Sequence, residues 1–305
     1  MINKYTNNKI TWIDVENPSL EEVRTLMEEY DINPDVAREL QFPTYKEKIT
    51  VFKEYLYIIL HFPVLRHSHN ESSMDQEVDF IVGQNFIITT RYETVDPFEK
   101  FSKTFELNNI LNRGLMEDNA SYVLYYMLKE LYRGTSDEID SINDRLDQIE
   151  RSIFKGKEKE MVSEISVISR DLISFNHIIL THKDVLTSLN NSGVKLFDNN
   201  FEENFTKILN EYHRIEKTLM NSIDFLRELR STNNSLLSTK QNETMKILTV
   251  ITFVSLPISV INGFFYTNAL HTPIIGHEFD WEIIVTIECI SALIFFLFSK
   301  FKKWI

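Results

Sequence analysis

Eight residues near the C-terminus recur at steps of three and four: Asn242, Met245, Leu248 and Thr249, Thr252, Leu256, Ser259 and Gly263. At about 3.6 residues per turn this spacing puts them on one side of a helix. The stripe alternates polar levels with apolar ones. If several copies of the chain packed around an axis with this side inward, the Asn, Thr and Ser oxygens would hydrogen-bond a hydrated ion. Met245, Leu248 and Leu256 would then form hydrophobic constrictions able to dewet and gate. Small residues at this spacing equally suit helix packing in lipid, and periodicity alone favours that reading. Elsewhere the chain offers no phosphate-binding glycine loop, nucleophile elbow or helical His-Glu pair with catalytic spacing, so no enzyme is expected. The single cysteine, Cys289, excludes a disulfide framework and a thiolate metal site.

The stripe needs an element that can carry it. Ile247 to Tyr266 is a run of about twenty uncharged residues, long enough at 1.5 Å per residue to cross a hydrocarbon core of about 30 Å. Ile283 to Phe298 is a second run of about sixteen residues, which contains Glu288 and needs Trp281 and Ser299 to Phe301 to reach across. Lys240 and Lys246 precede the first run, and Lys300, Lys302 and Lys303 follow the second. By the positive-inside rule both ends lie in the cytosol, leaving only the loop outside. An ionisable group within a span is a functional candidate, and Glu288 reads as a proton-titrating site, as a near-interface carboxyl held neutral, or as one paired with Thr286 or a first-span hydroxyl.

The N-terminus carries no basic-then-apolar signal segment, so the body is expected to stay cytosolic. It has 28 basic and 40 acidic residues up to residue 240. Such a surface repels nucleic acid and concentrates cations, although acidity also serves plain solubility. Residues 10–15, 55–65 and 77–91 are rich in β-branched and aromatic types, the last broken by a Gly83-Gln84-Asn85 turn. Ser19 and Glu22 have capping-box spacing and start a helix running to about Tyr30. No proline occurs between Pro97 and Pro257, which predicts long helices from Asn119 to Phe154, Lys157 to Leu189, and from near Asn200 directly into the first span. The apolar stripe of that last rod (Phe205, Leu209, Tyr212, Ile215, Leu219, Ile223, Leu226) must be covered by the preceding helices or by other copies, so a homo-oligomer is expected. The chain thus reads as an α/β domain (1–115), a helical domain with a stalk (116–245), a first span (246–266), an outer loop (267–281), a second span (282–299) and a basic tail (300–305).

Asn242 to Thr249 (NETMKILT), Leu256-Pro257, Ile261 to Phe265 (INGFF) and the tail Lys302-Lys303-Trp304-Ile305 resemble the CorA-type magnesium channels. The resemblance extends over nearly the whole chain and includes Ile32-Asn33-Pro34 ahead of the strand at Tyr55. It implies a funnel-shaped homopentamer in the inner membrane, with five first spans around a pore and five second spans outside. Magnesium or another divalent cation is then the cargo, with no covalent cofactor and no nucleic acid partner.

One departure stands at the outer mouth. Where the family carries Gly-Met-Asn, this chain has Tyr266, Thr267 and Asn268. The resemblance implies that a ring of Asn268 carboxamides holds a hydrated magnesium ion through water, which suits an ion that dehydrates reluctantly. Tyr266 removes a conformationally free glycine and adds bulk beside that ring. In similar proteins two acids at the subunit interface sense cytosolic magnesium. Counting back from Asn268 puts Lys207 at one of these places, and Glu39 is the candidate for the other. The expected contact is an ion pair, since an ammonium cannot ligand magnesium. Glu278 and Asp280 in the outer loop are expected to gather cations at the mouth. His271 and His277 lack a spacing that fixes a metal on one helix face, and His67 and His69 read as part of a solvated loop. The expectation is a channel passing divalent cations, magnesium first, into the cytosol. Alternatives are altered selectivity for zinc, cobalt or nickel, proton coupling or poor selectivity, and a non-conducting membrane-anchored sensor or scaffold.

Overall fold

The computed structural model describes residues 2–7, 10–63, 75–92, 97–98, 101–103, 105, 119–197, 199–266, 274–276 and 278–302. These residues fall into two compact units, 1–230 and 231–305.

In the first unit six strands form one mixed sheet in the order β1 (Ile2–Asn7), β2 (Ile10–Glu16), β6 (Phe86–Arg91), β5 (Asp75–Gly83), β4 (Tyr55–Pro63), β3 (Lys48–Val51). Only β2 and β6 run parallel; the other neighbours are antiparallel. Between β2 and β3 lie α1 (Leu20–Tyr30) and α2 (Pro34–Glu39). The capping box at α1 is complete: the Ser19 side chain accepts from the Glu22 N–H at 3.3 Å, and the Glu22 carboxylate accepts from the Ser19 N–H at 2.9 Å. Asn33 caps α2, Pro34 supplies a fixed φ at its first turn, and the Asn33 N–H donates to the Tyr55 hydroxyl at 2.9 Å. Val23, Leu26, Val36 and Leu40 pack with Ile13, Tyr57, Ile59, Ile81 and Ile88 as one core on that face of the sheet.

Every residue of β4 is buried. Covering helices on both faces account for this, because residues of both parities then point into a core. On the side opposite α1 and α2 lie α3 (Ala120–Phe154) and α4 (Glu158–Leu196). Their anchor is His182 of α4, which is fully buried. Its Nε2–H donates to the His61 carbonyl of β4 at 2.7 Å, which leaves Nδ1 to accept from the Tyr132 hydroxyl of α3 at 2.9 Å. Burial pushes the His182 pKa down to about 4, so the ring is neutral and its two nitrogens take these distinct roles. Nearby, Trp12 packs against Phe98, Phe101 and Phe105 and donates to Thr89 at 3.0 Å.

The final two helices are α5 (Asn199–Tyr266) and α6 (Asp280–Phe301). α5 is unbroken over 68 residues, as the proline-free stretch leading into the first apolar run predicted. In the first unit its stripe is covered by the same chain: Phe205, Tyr212, Ile215, Leu219 and Leu226 are buried, joined by Ile208 and Leu229. Ser222 donates across to Asn143 of α3 at 2.6 Å. Here the preceding helices do what the sequence reading left open to them or to other copies. α4 extends seven residues past the expected Leu189 because Gly193 leaves room for the Phe201 ring. A Cβ there would come within 2.1 Å of it.

Candidate functional site

In the second unit α5 and α6 are the two helices long and apolar enough to cross a membrane. They meet through Phe253, whose ring lies 5.1 Å from Phe295 and 6.0 Å from Phe298, with Val250 buried beside it. At about 100° per residue Val250, Phe253 and Pro257 share one side of α5, and the predicted stripe centres well away from it. All eight stripe residues, Asn242, Met245, Leu248, Thr249, Thr252, Leu256, Ser259 and Gly263, are exposed in the single chain. The apolar ones are no exception: Met245 is 54 % exposed, Leu248 55 % and Leu256 59 %. Beside the stripe runs an apolar groove of about 500 Å³ lined by Leu248, Thr249, Thr252, Phe253, Leu256, Pro257 and Phe295.

The hydroxyls of this region are all oriented in one way. Thr249 donates to the Met245 carbonyl at 2.7 Å, Thr252 to Leu248 at 2.9 Å, Ser255 to Ile251 at 2.6 Å and Ser259 to Ser255 at 3.1 Å. A hydroxyl has one proton and two lone pairs. With the proton committed to the helix's own backbone, the oxygen faces outward as an acceptor. The water around a cation points its hydrogens outward, and such acceptors match it. Pro257 has no N–H for the ladder, and helix α5 continues through it.

Tyr266 is the last residue of α5, while Thr267, Asn268, His271 and His277 lie outside the described residues, as do His67 and His69. Of the outer acids, Glu278 sits in the turn before α6, and Asp280 opens the helix and accepts from the Gly276 N–H at 3.3 Å. Gly276 has φ +99°, a conformation open to glycine, and Ile274 has φ +82°, so this turn is tightly bent. Of the groups offered to Glu288, the Thr286 hydroxyl donates to the Glu282 carbonyl at 2.6 Å, and the first-span hydroxyls are likewise turned onto their own helix.

Glu39 and Lys207 are not brought together within one chain. Glu39, at the end of α2, accepts from Lys48 at 2.7 Å, and Lys207 donates to Glu203 at 3.0 Å and to Asn204 at 3.3 Å. The hydrogen bond to Glu203 raises the Lys207 pKa, so a permanent cation stands at this place on the rod. No group of three or more metal-ligating side chains occurs among the described residues. Reading the sequence missed a buried polar cluster built on His61, Glu77 and Asp79. Its trace is the acids at alternate positions of β5, Asp75, Glu77 and Asp79.

Comparison with known proteins places this geometry. The family of the CorA-like Mg2+ transporter protein matches residues 7–303. The chain is 24 % identical over 298 residues to the cobalt/magnesium transport protein CorA of Thermotoga maritima, covering 97 % of this chain and 83 % of that protein. In structure it resembles the CorA magnesium transporter of Methanocaldococcus jannaschii, with a TM-score of 0.84, 19 % identity and coverage of 99 % and 93 % of the two chains. It also resembles the full-length CmaX protein, with a TM-score of 0.72, 16 % identity and coverage of 96 % and 88 %. A family match spanning almost the full length, with the α/β domain, the long helix and two apolar C-terminal helices in their places, makes this chain a member of the CorA-like Mg2+ transporter family.

Proposed function

We propose that the chain forms a homopentameric channel that passes divalent cations, magnesium first, into the cytosol, with α5 lining the path and α6 outside it. The observation that carries this is the exposed stripe from Asn242 to Gly263, whose hydroxyls present acceptors while its Met and Leu levels stay uncovered. Residues 238–249 are all exposed in the single chain, although they include Met245, Ile247 and Leu248. Of these, Met245 lies on the stalk just short of the first span, where an apolar side chain needs cover, and neighbouring copies provide it. Gly263 supports the same packing, since a Cβ there would meet nothing in its own chain. Both termini lie in the cytosol in this reading, with residues 267–281 outside and Glu278 and Asp280 drawing cations to the mouth.

In this reading Asn268 holds the hydrated ion, and Lys207 supplies to a neighbouring subunit's Glu39 the positive charge that a regulatory divalent ion would otherwise bring. Closure then depends little on internal magnesium. Tyr266 and Thr267 beside the ring favour a second reading, a transporter of altered selectivity. Flux into liposomes with magnesium, zinc, cobalt and protons separates the two, and an absence of any flux supports a scaffold instead. Asn268→Ala is expected to lower magnesium flux about tenfold or more, the order expected for losing a charge-binding ring. Unchanged flux for every ion would remove Asn268 from the path.

A further inference from the structure

Beneath α2 the sheet buries a group of charges that transport does not use. Glu77 and Asp79 sit at alternate positions of β5, opposite His61 and Ile59 of β4, on the face that bears α1 and α2. Glu77 is 6 % exposed and Asp79 1 %. The segment 40–47 between α2 and β3 closes over them: Thr44 donates its N–H to Glu77 at 2.5 Å and its hydroxyl at 3.2 Å, and the Thr44 carbonyl meets His61 Nε2 at 2.9 Å. His61 in turn faces Glu47 at 3.4 Å and Glu77 at 3.2 Å. Asp79 accepts from Thr90 at 2.9 Å and from Tyr92 at 3.4 Å, both on the same oxygen.

The charges do not balance. Glu39, Glu47, Glu77 and Asp79 are answered by Lys48, which pairs with Glu39, and by His61. Among the described residues, four buried polar atoms of this cluster have no hydrogen-bond partner; Glu39 Oε2 and His61 Nδ1 still lie within ion-pair range of Lys48 and Glu47, whereas Asp79 Oδ1 and the Tyr57 hydroxyl have no such cation or anion paired with them. An unpartnered carboxylate oxygen beside a second carboxylate is what remains when a proton between them is overlooked.

We propose that Glu77 and Asp79 form a proton-binding site, one proton on Asp79 Oδ1 directed at Glu77, and that segment 40–47 is the cover whose opening releases it. Burial and then the Glu77 charge hold the Asp79 carboxyl well above the usual carboxylate range. Burial and then Asp79 likewise drive the Tyr57 hydroxyl upward. The opposing cation stays in place, because burial disfavours a charged His61 but its bonds to Glu47 and Glu77 push it up to about 10. With the cover open, water reaches Asp79 and it ionises at an ordinary pKa. Opening therefore gains about tenfold per pH unit over the range in which only the closed state holds the proton. Phe42 and Tyr45, 73 % and 100 % exposed on the cover, move with it. The site lies in the α/β unit and does not depend on any ion crossing a membrane.

The test is deuterium exchange of residues 40–47 in the full-length detergent-solubilised protein from pH 6 to 9, corrected for intrinsic exchange. Protection should fall by up to about tenfold more per pH unit in the parent than in Asp79→Asn, which keeps a neutral donor toward Glu77 and retains the share due to His61, whose partners Glu47 and Thr44 lie on the same cover. A flat parent, or the same slope in both proteins, overturns the proposal. Should Asp79→Asn not fold, infrared spectra of Glu288→Gln decide: a buried protonated carboxyl band that persists at pH 7 without the Glu288 carboxyl supports the site, and its absence overturns it.

Discussion

The α/β unit and the membrane unit treat polar groups in opposite ways. In the sheet, Asp14, Arg91, Glu77, Asp79 and His61 are buried, each held by charged or hydrogen-bonding partners from other strands or loops. In the second unit the Thr249, Thr252, Ser255 and Ser259 hydroxyls of α5 are exposed, and each leans on its own backbone four residues back. A buried polar group is expensive to orphan because its partner loses a bond that water cannot replace. An exposed, self-satisfied one can be removed with little effect on folding and remains available to a passing solute.

Substitutions in the two units should therefore separate stability from transport. The largest effect belongs to Arg91→Met, which leaves Asp14, now 3.1 Å from the Arg91 guanidinium, buried without its cation. A loss of about 3–5 kcal/mol is expected, seen as a sharp drop in the thermal unfolding temperature of the full-length protein. An unchanged melting temperature would break the contrast at its strongest point.

Next come the histidines. His182 titrates near 4 when folded and at its ordinary 6.5 when unfolded, so the folded state binds fewer protons between these values. Its contribution is complete above pH 6.5 and is lost as pH falls toward 4. His61, raised to about 10, gives the reverse: full below 6.5 and lost as pH rises toward 10. Melting temperature against pH should fall on both sides, and His182→Gln, which can keep both hydrogen bonds, should flatten the acid side alone.

On α5, Thr252→Val removes one outward acceptor and one intrahelical bond. Its melting temperature should stay within about 2 °C of the parent while magnesium flux into liposomes drops severalfold. A large stability loss with normal flux would invert the comparison. The smallest effect is expected for Lys207→Ala, an exposed residue whose only consequence should be a change in how internal magnesium affects flux, with the melting curve unmoved.

The long elements were legible because their signals are local. Ser19 and Glu22 announced α1, the absence of proline announced α3 to α5, and the two apolar runs announced the long apolar helices at the C-terminal end. The two edge strands were not: β1 (INKYTN) is mostly polar and β3 (KITV) has four residues, and each owes its conformation to the neighbour it pairs with. The stripe was legible as a periodicity. That the hydroxyl protons turn inward was not, since it depends on rotamers set by the helix. The acid pair escaped because alternation along β5 reads as a solvent-facing edge. Only the fold brings Thr44, thirty-three residues earlier in the chain, down over Glu77.

The backward-leaning hydroxyls carry one more consequence. Between Thr249 and Ser259 the exposed stripe offers lone pairs but no hydroxyl proton to a visitor. A chloride ion, or the hydration shell of one, seeks donors and finds none there. If the proposed path runs along this stripe, its wall discriminates by the sense of its hydrogen bonds and turns away anions without a fixed charge between Thr249 and Ser259.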